Sequence, residues 1–238
     1  MAWTDIPTWS LDVAKTIMET VRVKDPATYE HCIRVSRGAR LLARAAGLDL
    51  YDQKIIEFAG LFHDIGKIGI PDSVLLKPSR LTEDEYLVMQ SHPEKSVQIL
   101  TPLAGVEFYA RLLPGVLHHH ERYDGGGYPA HVAGDAIPMA SRVILIADTF
   151  DAMTADRVYR RGLSAEVAYK ELLDFSGRQF DPHLVQIYLD AHPTWRPSDY
   201  AIFDEMTAEV LARGERGGAA VGSSGDRSDE GTGGSSAA

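Results

Sequence analysis

Adjacent histidine and aspartate residues at the end of an apolar stretch are the first feature of this chain that could do chemistry. His63 and Asp64 directly follow the run IIEFAGLF. An imidazole supplies one nitrogen ligand to a metal ion, and a carboxylate has two oxygens that can each hold a cation. An isolated pair is better explained by a protonated histidine at a helix C-terminus beside a solvated aspartate. Further ligand-type residues are therefore needed to favour a metal site.

Four other segments carry the same kinds of side chain. His31 and Asp148 lie on apolar faces of predicted helices, His92 lies at a predicted helix start, and His119 and His120 are adjacent. A lone histidine is more often a core or a surface residue, but a carboxylate on an apolar face is costly unless it is paired or metal-bound. Together with the first pair, five imidazoles and two carboxylates predict a site for two divalent cations. Fe or Mn is favoured, and other divalent transition metals are alternatives.

Hydrophobic periodicity predicts that these residues lie on an all-α helical bundle. Residues 14–21 have the spacing of an amphipathic helix, and a strongly apolar helix is expected at about 139–155. We expect an N-terminal helix within residues 1–24 and one helical domain over 25–212, with the metal site in its core. Residues 213–238 are rich in Gly and Ser and are expected to be a disordered tail.

Two capping boxes are predicted near the middle of the chain. Thr82 with Glu85 forms the first, and Ser91 with Glu94 forms the second. The second box places His92 at the very beginning of a helix.

Composition excludes several classes of protein. The apolar runs fall far short of the roughly 20 residues that span a bilayer, and no basic region precedes an apolar stretch at the start. A net charge of −10 argues against extended nucleic acids and acidic membrane surfaces as partners. Cys32 is the single cysteine, which excludes an internal disulfide or a thiolate metal cluster. We therefore expect a soluble, cytoplasmic protein.

Two longer stretches resemble a known family. The segments LFHDIGK (61–67) and HHERYDGGGYP (119–129) are similar to the two signature motifs of the HD-GYP domain, a subgroup of the HD phosphohydrolase superfamily. The resemblance extends from about Asp25 to Leu189 and includes SHP (91–93), IAD (146–148), DAMT (151–154), ADRVYR (155–160) and GRQFDP (177–182). On these motifs the chain is identified as a member of this family.

The resemblance implies a phosphodiesterase that opens cyclic di-GMP to linear pGpG and, in some members, to GMP. It implies one metal ion held by His31, His63, Asp64 and Asp148, and a second held by Asp64, His92, His119 and His120. Asp64 would then bridge the two ions, and a hydroxide between them would attack phosphorus. Lys67 is expected to reach a phosphate oxygen or the leaving group, with a solvated cation as the alternative.

Other residues of the motifs are expected to contact the substrate or to support the ligands. Arg157 and Arg160 resemble the family's phosphate contacts, and an arginine pair offers planar bidentate donors. Tyr128 is expected to pack on a guanine or on a partner protein, with a rigid turn as the alternative. Glu121 and Asp124 are expected to orient histidine ligands through hydrogen bonds or to hold the loop.

Several alternatives stay open. His118 precedes the histidine pair, so the ligand assignment could shift by one residue. Ala27 stands where family members with a third metal carry a glutamate, which favours two ions. The chain could instead be a non-catalytic adaptor that responds to cyclic di-GMP, or an HD hydrolase of another cyclic dinucleotide. The partners that the resemblance implies are GGDEF-domain cyclases or a separate sensor protein.

Overall fold

The computed structural model describes residues 6–156 and 161–196, which form ten α-helices. They are α1 (Ser10–Lys24), α2 (Pro26–Ala45), α3 (Leu50–Phe62), α4 (Asp72–Leu75), α5 (Glu83–Met89), α6 (His92–Leu100), α7 (Glu107–Leu117), α8 (Met139–Thr154), α9 (Ala165–Asp174) and α10 (Pro182–Ala191). These two ranges contain an isolated bridge between Ser176 and Phe180 but no strand, so the predicted all-α class is confirmed. None of the described helices has the length and apolar character needed to cross a bilayer. Predictions for Arg157, Arg160 and the tail at 213–238 lie outside the described residues.

The core lies between α2, α3, α7 and α8. α2 packs against both α3 and α8, and α3 packs against α7. Leu42, Phe62, Val116 and Ile144, one from each of these four helices, are completely excluded from solvent. The apolar helix predicted at about 139–155 is α8, and the buried face of α1 packs on α2 as part of the same core.

One of the two predicted capping boxes forms, and the other does not. The Thr82 side chain accepts a hydrogen bond from the Glu85 amide at 3.3 Å, and the Glu85 carboxylate accepts one from the Thr82 amide at 2.7 Å. The box at Ser91 was predicted wrongly, because Ser91 has helical dihedrals (φ −79°, ψ −7°) rather than the extended ones of an N-cap. Its hydroxyl donates to the Val88 carbonyl at 2.6 Å instead. His92 is nevertheless the first residue of α6.

A close backbone approach at Gly66 joins the end of α3 to the start of α6. A short 3₁₀ helix (Ile65–Gly69) follows α3, and a Cβ at position 66 would lie 2.1 Å from the His92 carbonyl oxygen and 2.5 Å from the Ser96 amide nitrogen. The Ser96 hydroxyl accepts a hydrogen bond from the Gly66 amide and donates one to the His63 carbonyl, both at 2.8 Å. Only glycine therefore allows the segment after His63 to lie directly against His92.

Gly66→Ala is expected to lower the free energy of unfolding by about 1–3 kcal/mol, because the methyl group meets backbone atoms that cannot move independently. Urea denaturation measures this change. Gly105→Ala is the matched control, since nothing lies within 4 Å of a Cβ at that exposed position. Equal stability of the two variants would contradict the packing constraint.

Candidate metal centre

Two groups of ligand-type side chains meet in the interior. His31, His63 and Asp64 form the first group, in which one ligand atom of each residue lies within 4.8 Å of the others. His92, His119 and His120 form the second group by the same measure. The first group comes from α2 and the end of α3, and the second comes from the start of α6 and the turn after α7. Residues spread over about 90 positions of sequence thus converge on one place.

Asp64 connects the two groups, because one of its oxygens lies near the histidines of the first group and the other lies near His92 of the second. Its Oδ2 is 3.3 Å from His63 Nε2 and 3.7 Å from His31 Nε2. Its Oδ1 is 3.1 Å from His92 Nε2, on the side of the second group. This is the arrangement of a carboxylate that can contact two cations at once.

Backbone carbonyls determine the tautomers of three of the histidines. A carbonyl oxygen only accepts hydrogen bonds, so each Nδ1 next to one must carry a proton, and in the neutral ring Nε2 then keeps its lone pair. The pairs are His63 Nδ1 with Gly60 O at 2.7 Å, His92 Nδ1 with Met89 O at 2.8 Å, and His119 Nδ1 with Val116 O at 2.7 Å. Each accepting carbonyl belongs to the last turn of a helix, where no helical amide is available to it.

The resulting lone pairs point at one another, which fits bound cations. His92 Nε2 lies 3.1 Å from His119 Nε2 and 3.2 Å from His120 Nε2. His63 Nε2 and Asp64 Oδ1 are buried and have no hydrogen-bond partner. Converging acceptors without protons repel one another unless positive charge lies between them. The donor set, imidazole nitrogen with carboxylate oxygen, is one that divalent transition metals accept.

His31 lies between two further carboxylates. Its Nε2 is 3.1 Å from Asp148 Oδ1, and its Nδ1 is 2.7 Å from Asp151 Oδ2. Burial alone would lower the pKa of His31, but hydrogen bonds to these two carboxylates outweigh it and raise the pKa to about 9. The surroundings of Nε2 therefore favour positive charge there, from a proton or from a metal ion.

Asp151 and Arg34 are functional candidates that sequence reasoning missed. Arg34 donates from Nε to Asp151 Oδ1 at 2.6 Å and from Nη2 to Oδ2 at 3.1 Å, so the carboxylate that holds His31 is itself held. Each residue lies three positions after a predicted ligand on its own helix. That spacing was the available signal, because it places them on nearly the same helix face.

In the second group, the pKa values of two histidines are lowered. Burial, followed by the neighbouring imidazoles, lowers the pKa of His119 well below its usual value. Burial and the His92 imidazole lower that of His120 to about 3. Both rings are therefore neutral at physiological pH, with electron pairs free for a metal.

Lys67 contacts the bridging carboxylate. Its Nζ lies 2.5 Å from Asp64 Oδ2. Burial opposes the charge of both groups, but the Lys67 ammonium holds the pKa of Asp64 well below its usual range, and the Asp64 carboxylate raises that of Lys67. An ammonium has three donors, so this contact leaves two available to a substrate oxygen.

The structure favours His119 and His120 over the register shifted by one. His118 lies outside the second group, with its Nδ1 3.6 Å from Glu121 Oε1. His119 and His120 turn toward each other instead, with ring centres 4.2 Å apart.

The loop after the histidine pair contacts the site through Tyr128. The Tyr128 ring stacks on His120 at 4.7 Å, with 25° between the ring planes. A Cβ at Gly127 would lie 2.4 Å from the His120 carbonyl oxygen, so the loop lies directly against the ligand segment.

Glu121 and Asp124 hold this loop. The Glu121 carboxylate accepts a hydrogen bond from the Ala130 amide at 2.6 Å. The Asp124 carboxylate accepts from Arg122 at 2.7 and 3.1 Å and from the Gly126 amide at 2.9 Å. Of the two roles predicted for these acids, the loop contacts are the ones observed in the described residues.

A cavity of about 650 Å³ opens beside His120 and Tyr128. Its polar lining includes Tyr86, Gln90, Glu94, Arg122 and Gln179. Arg122 and Gln179 belong to motifs of the family resemblance, but no sequence pattern predicts that these five side chains meet, because they come from separate segments that only the fold brings together. The cavity connects the second histidine group with a space large enough for a small-molecule substrate.

Comparison with known proteins decides the family. The family model described as HD domain matches residues 15–184. The chain belongs to the HD domain family. This agrees with the motif resemblance, and the histidine and aspartate groups together with the family indicate divalent metal ions at the site.

Curated relatives and a solved structure extend the match. The chain is 40% identical over 173 residues to the cyclic di-GMP phosphodiesterase response regulator RpfG of Xanthomonas campestris, covering 73% of this chain and 46% of the relative. It is 35% identical over 190 residues to 3'3'-cGAMP-specific phosphodiesterase 2 of Vibrio cholerae, covering 78% and 35%. The crystal structure of the phosphodiesterase V-cGAP3 of V. cholerae superposes with a TM-score of 0.55 at 22% identity, covering 76% and 48%, and supports the fold. The chain thus spans half or less of the length of these relatives.

Asp151→Asn is expected to weaken metal binding at the first group about 10–100-fold, because the side chain that orients His31 loses its charge. Competition with a chelator of known affinity measures this change. Glu30→Gln is the matched control, since it removes the same charge from an exposed site 3.9 Å from Arg34. Unchanged metal affinity in Asp151→Asn would contradict the positioning role.

Proposed function

We propose that this chain is a metal-dependent phosphodiesterase that hydrolyses cyclic di-GMP to linear pGpG, with GMP as a further product. The observation that carries the proposal is the position of Asp64, whose two oxygens face two separate histidine groups. A pair of cations held in this way suits in-line displacement at a phosphodiester.

The ligands proposed for the two ions follow the two groups. His31, His63, Asp64 and Asp148 would hold one ion, and Asp64, His92, His119 and His120 would hold the other. Fe or Mn is proposed, because mixed imidazole and carboxylate ligands suit these metals. The ions, when bound, polarise the phosphate oxygens and lower the pKa of a water nucleophile.

The chain's own residues bind and orient the substrate. Lys67 Nζ keeps its proton beside Asp64 and donates hydrogen bonds to a phosphate oxygen of the substrate. There it stabilises the negative charge that develops on the phosphate oxygens in the transition state. Tyr128 offers an aromatic surface in the cavity for a guanine ring. Arg157 and Arg160 are proposed as phosphate contacts on the basis of their motif alone.

Cyclic di-GMP is favoured by the names of the relatives, among them RpfG. A second candidate is hydrolysis of 3'3'-cGAMP, because relatives with that specificity match over a similar share of the chain. The amide side chains of Gln90 and Gln179 in the cavity are able to bond either purine, since an amide both donates and accepts.

Catalysis is favoured over an adaptor role because both ligand groups and Lys67 are present, and His120 of the second group lines a cavity together with Tyr128. We propose GGDEF-domain cyclases or a separate sensor as protein partners at the exposed edge of the Tyr128 loop. A cytoplasmic location remains a prediction.

Turnover of a substrate panel by protein purified without oxygen tests the proposal. We expect the highest kcat/KM for cyclic di-GMP, with pGpG as the first product. A higher value for 3'3'-cGAMP would support the second candidate against the first. No turnover of any cyclic dinucleotide by protein that contains metal would contradict both and favour the adaptor.

Asp64→Ala is expected to abolish binding of both ions and to lower turnover at least about 10³-fold, because loss of a single charge-stabilising donor already costs 10²–10³. Elemental analysis and product chromatography measure the two effects. Asp12→Ala, at an exposed position of α1, serves as the control and should keep both properties. Full turnover in Asp64→Ala would rule out the bridging role.

A further inference from the structure

A second cavity, of about 530 Å³, lies between α2, α8 and the end of α10. Its lining includes Arg34 and Arg37 from α2 and Asp151 from α8. The proposed reaction uses neither Arg37 nor the aromatic residues on the opposite wall. Its volume lies within the range of small-molecule sites, roughly 300–1,000 Å³.

One wall of this cavity carries excess positive charge. Arg34 and Arg37 are one helical turn apart, and of these two arginines only Arg34 pairs with the Asp151 carboxylate. Arg37 has no hydrogen-bond or ion-pair partner among the described residues, and its Nε is buried. A buried guanidinium donor without an acceptor is unfavourable, and phosphate oxygens match its planar fork.

The opposite wall is aromatic. His192 stacks on Tyr188 at 4.9 Å with 24° between the planes, and the Phe150 ring centre lies 4.4 Å from that of His192. Trp195 meets Tyr188 edge-on at 5.5 Å and lines the cavity. Aromatic surfaces of this kind stack on flat heterocycles such as nucleobases.

We propose that this cavity binds a mononucleotide, with its phosphate on Arg34 and Arg37 and its base against Trp195 and His192. One pair of guanidinium groups and one aromatic wall match one phosphate and one base. A cyclic dinucleotide carries two of each, which is more than this lining offers. Binding here does not depend on the reaction proposed for the metal centre.

The position of Arg34 couples this cavity to His31. Asp151 accepts from Arg34 on one side and lies 2.7 Å from His31 Nδ1 on the other. A nucleotide phosphate that engages Arg34 competes with Asp151 for it and changes the hydrogen bond on His31. By linkage, metal binding at His31 and nucleotide binding in this cavity then influence each other.

Fluorescence of Trp195 tests the site. The chain contains three tryptophans, so Trp3→Phe with Trp9→Phe leaves Trp195 as the only reporter. Titration of this double variant of the 238-residue chain with GMP is expected to change the Trp195 emission saturably. Guanosine and inorganic phosphate, each lacking one half of the ligand, should bind at least about tenfold more weakly.

Two variants on the same helix make the test specific. Arg37→Gln should weaken GMP binding at least about tenfold, whereas Arg44→Gln, at an exposed position, should change it less than about twofold. No saturable emission change, or equal affinities in the two variants, would overturn the proposal. Turnover measured on the same samples reports separately on the metal centre, so failure of either proposal is distinguishable.

NMR spectroscopy measures the coupling between this cavity and His31 separately. GMP should shift the imidazole nitrogen resonances of His31 in NMR spectra of the parent protein, and at the same concentration this shift should be lost in Arg37→Gln. The same shift in both proteins would place the bound nucleotide elsewhere and contradict the coupling.

Discussion

One buried carboxylate that serves two groups of imidazole nitrogens is the interaction on which the rest of this structure depends. Asp64 is 2% exposed, and the lone pairs around it converge within about 3 Å of one another. Without positive charge such an arrangement is repulsive, since interactions between partial charges strengthen away from water. The ion pair with Lys67 offsets part of this cost on one side only. Two bound cations would offset the remaining electrostatic repulsion among these lone pairs. With that repulsion offset, the site can lie in the core.

Backbone carbonyls at helix C-termini orient three of the histidine ligands. His63, His92 and His119 each use the carbonyl three residues earlier as the acceptor for Nδ1, and each carbonyl lies in the last turn of a helix. Unpaired carbonyls at helix C-termini would otherwise need water, which the core excludes. The same atoms thus satisfy the backbone and fix the tautomer that a metal requires. Gly66 and Ser96 then hold the end of α3 against the start of α6, which carries His92, so that Asp64 reaches both groups.

Much of this arrangement was predictable from the sequence, and the remainder depends on tertiary contacts. Helical periodicity predicts α8 and the inward face of α2, and adjacent motif residues predict the two histidine groups. Periodicity cannot predict that Asp151 and Arg34 meet, because they lie on different helices whose packing brings them together. The capping box at Ser91 illustrates the opposite error. The local pattern was present, but the serine continues the turn that ends α5 and bonds backward to Val88. The sequence likewise does not predict that the lining of the cavity beside Tyr128 comes together, since its side chains come from four separate segments.

Anomalous diffraction from crystals of the protein purified without oxygen tests the central claim most directly. The account predicts two metal peaks roughly 3.5–4 Å apart, with an oxygen of Asp64 bound to each. One peak should contact His31, His63 and Asp148, and the other should contact His92, His119 and His120. A single peak, or two peaks of which only one contacts Asp64, would contradict it.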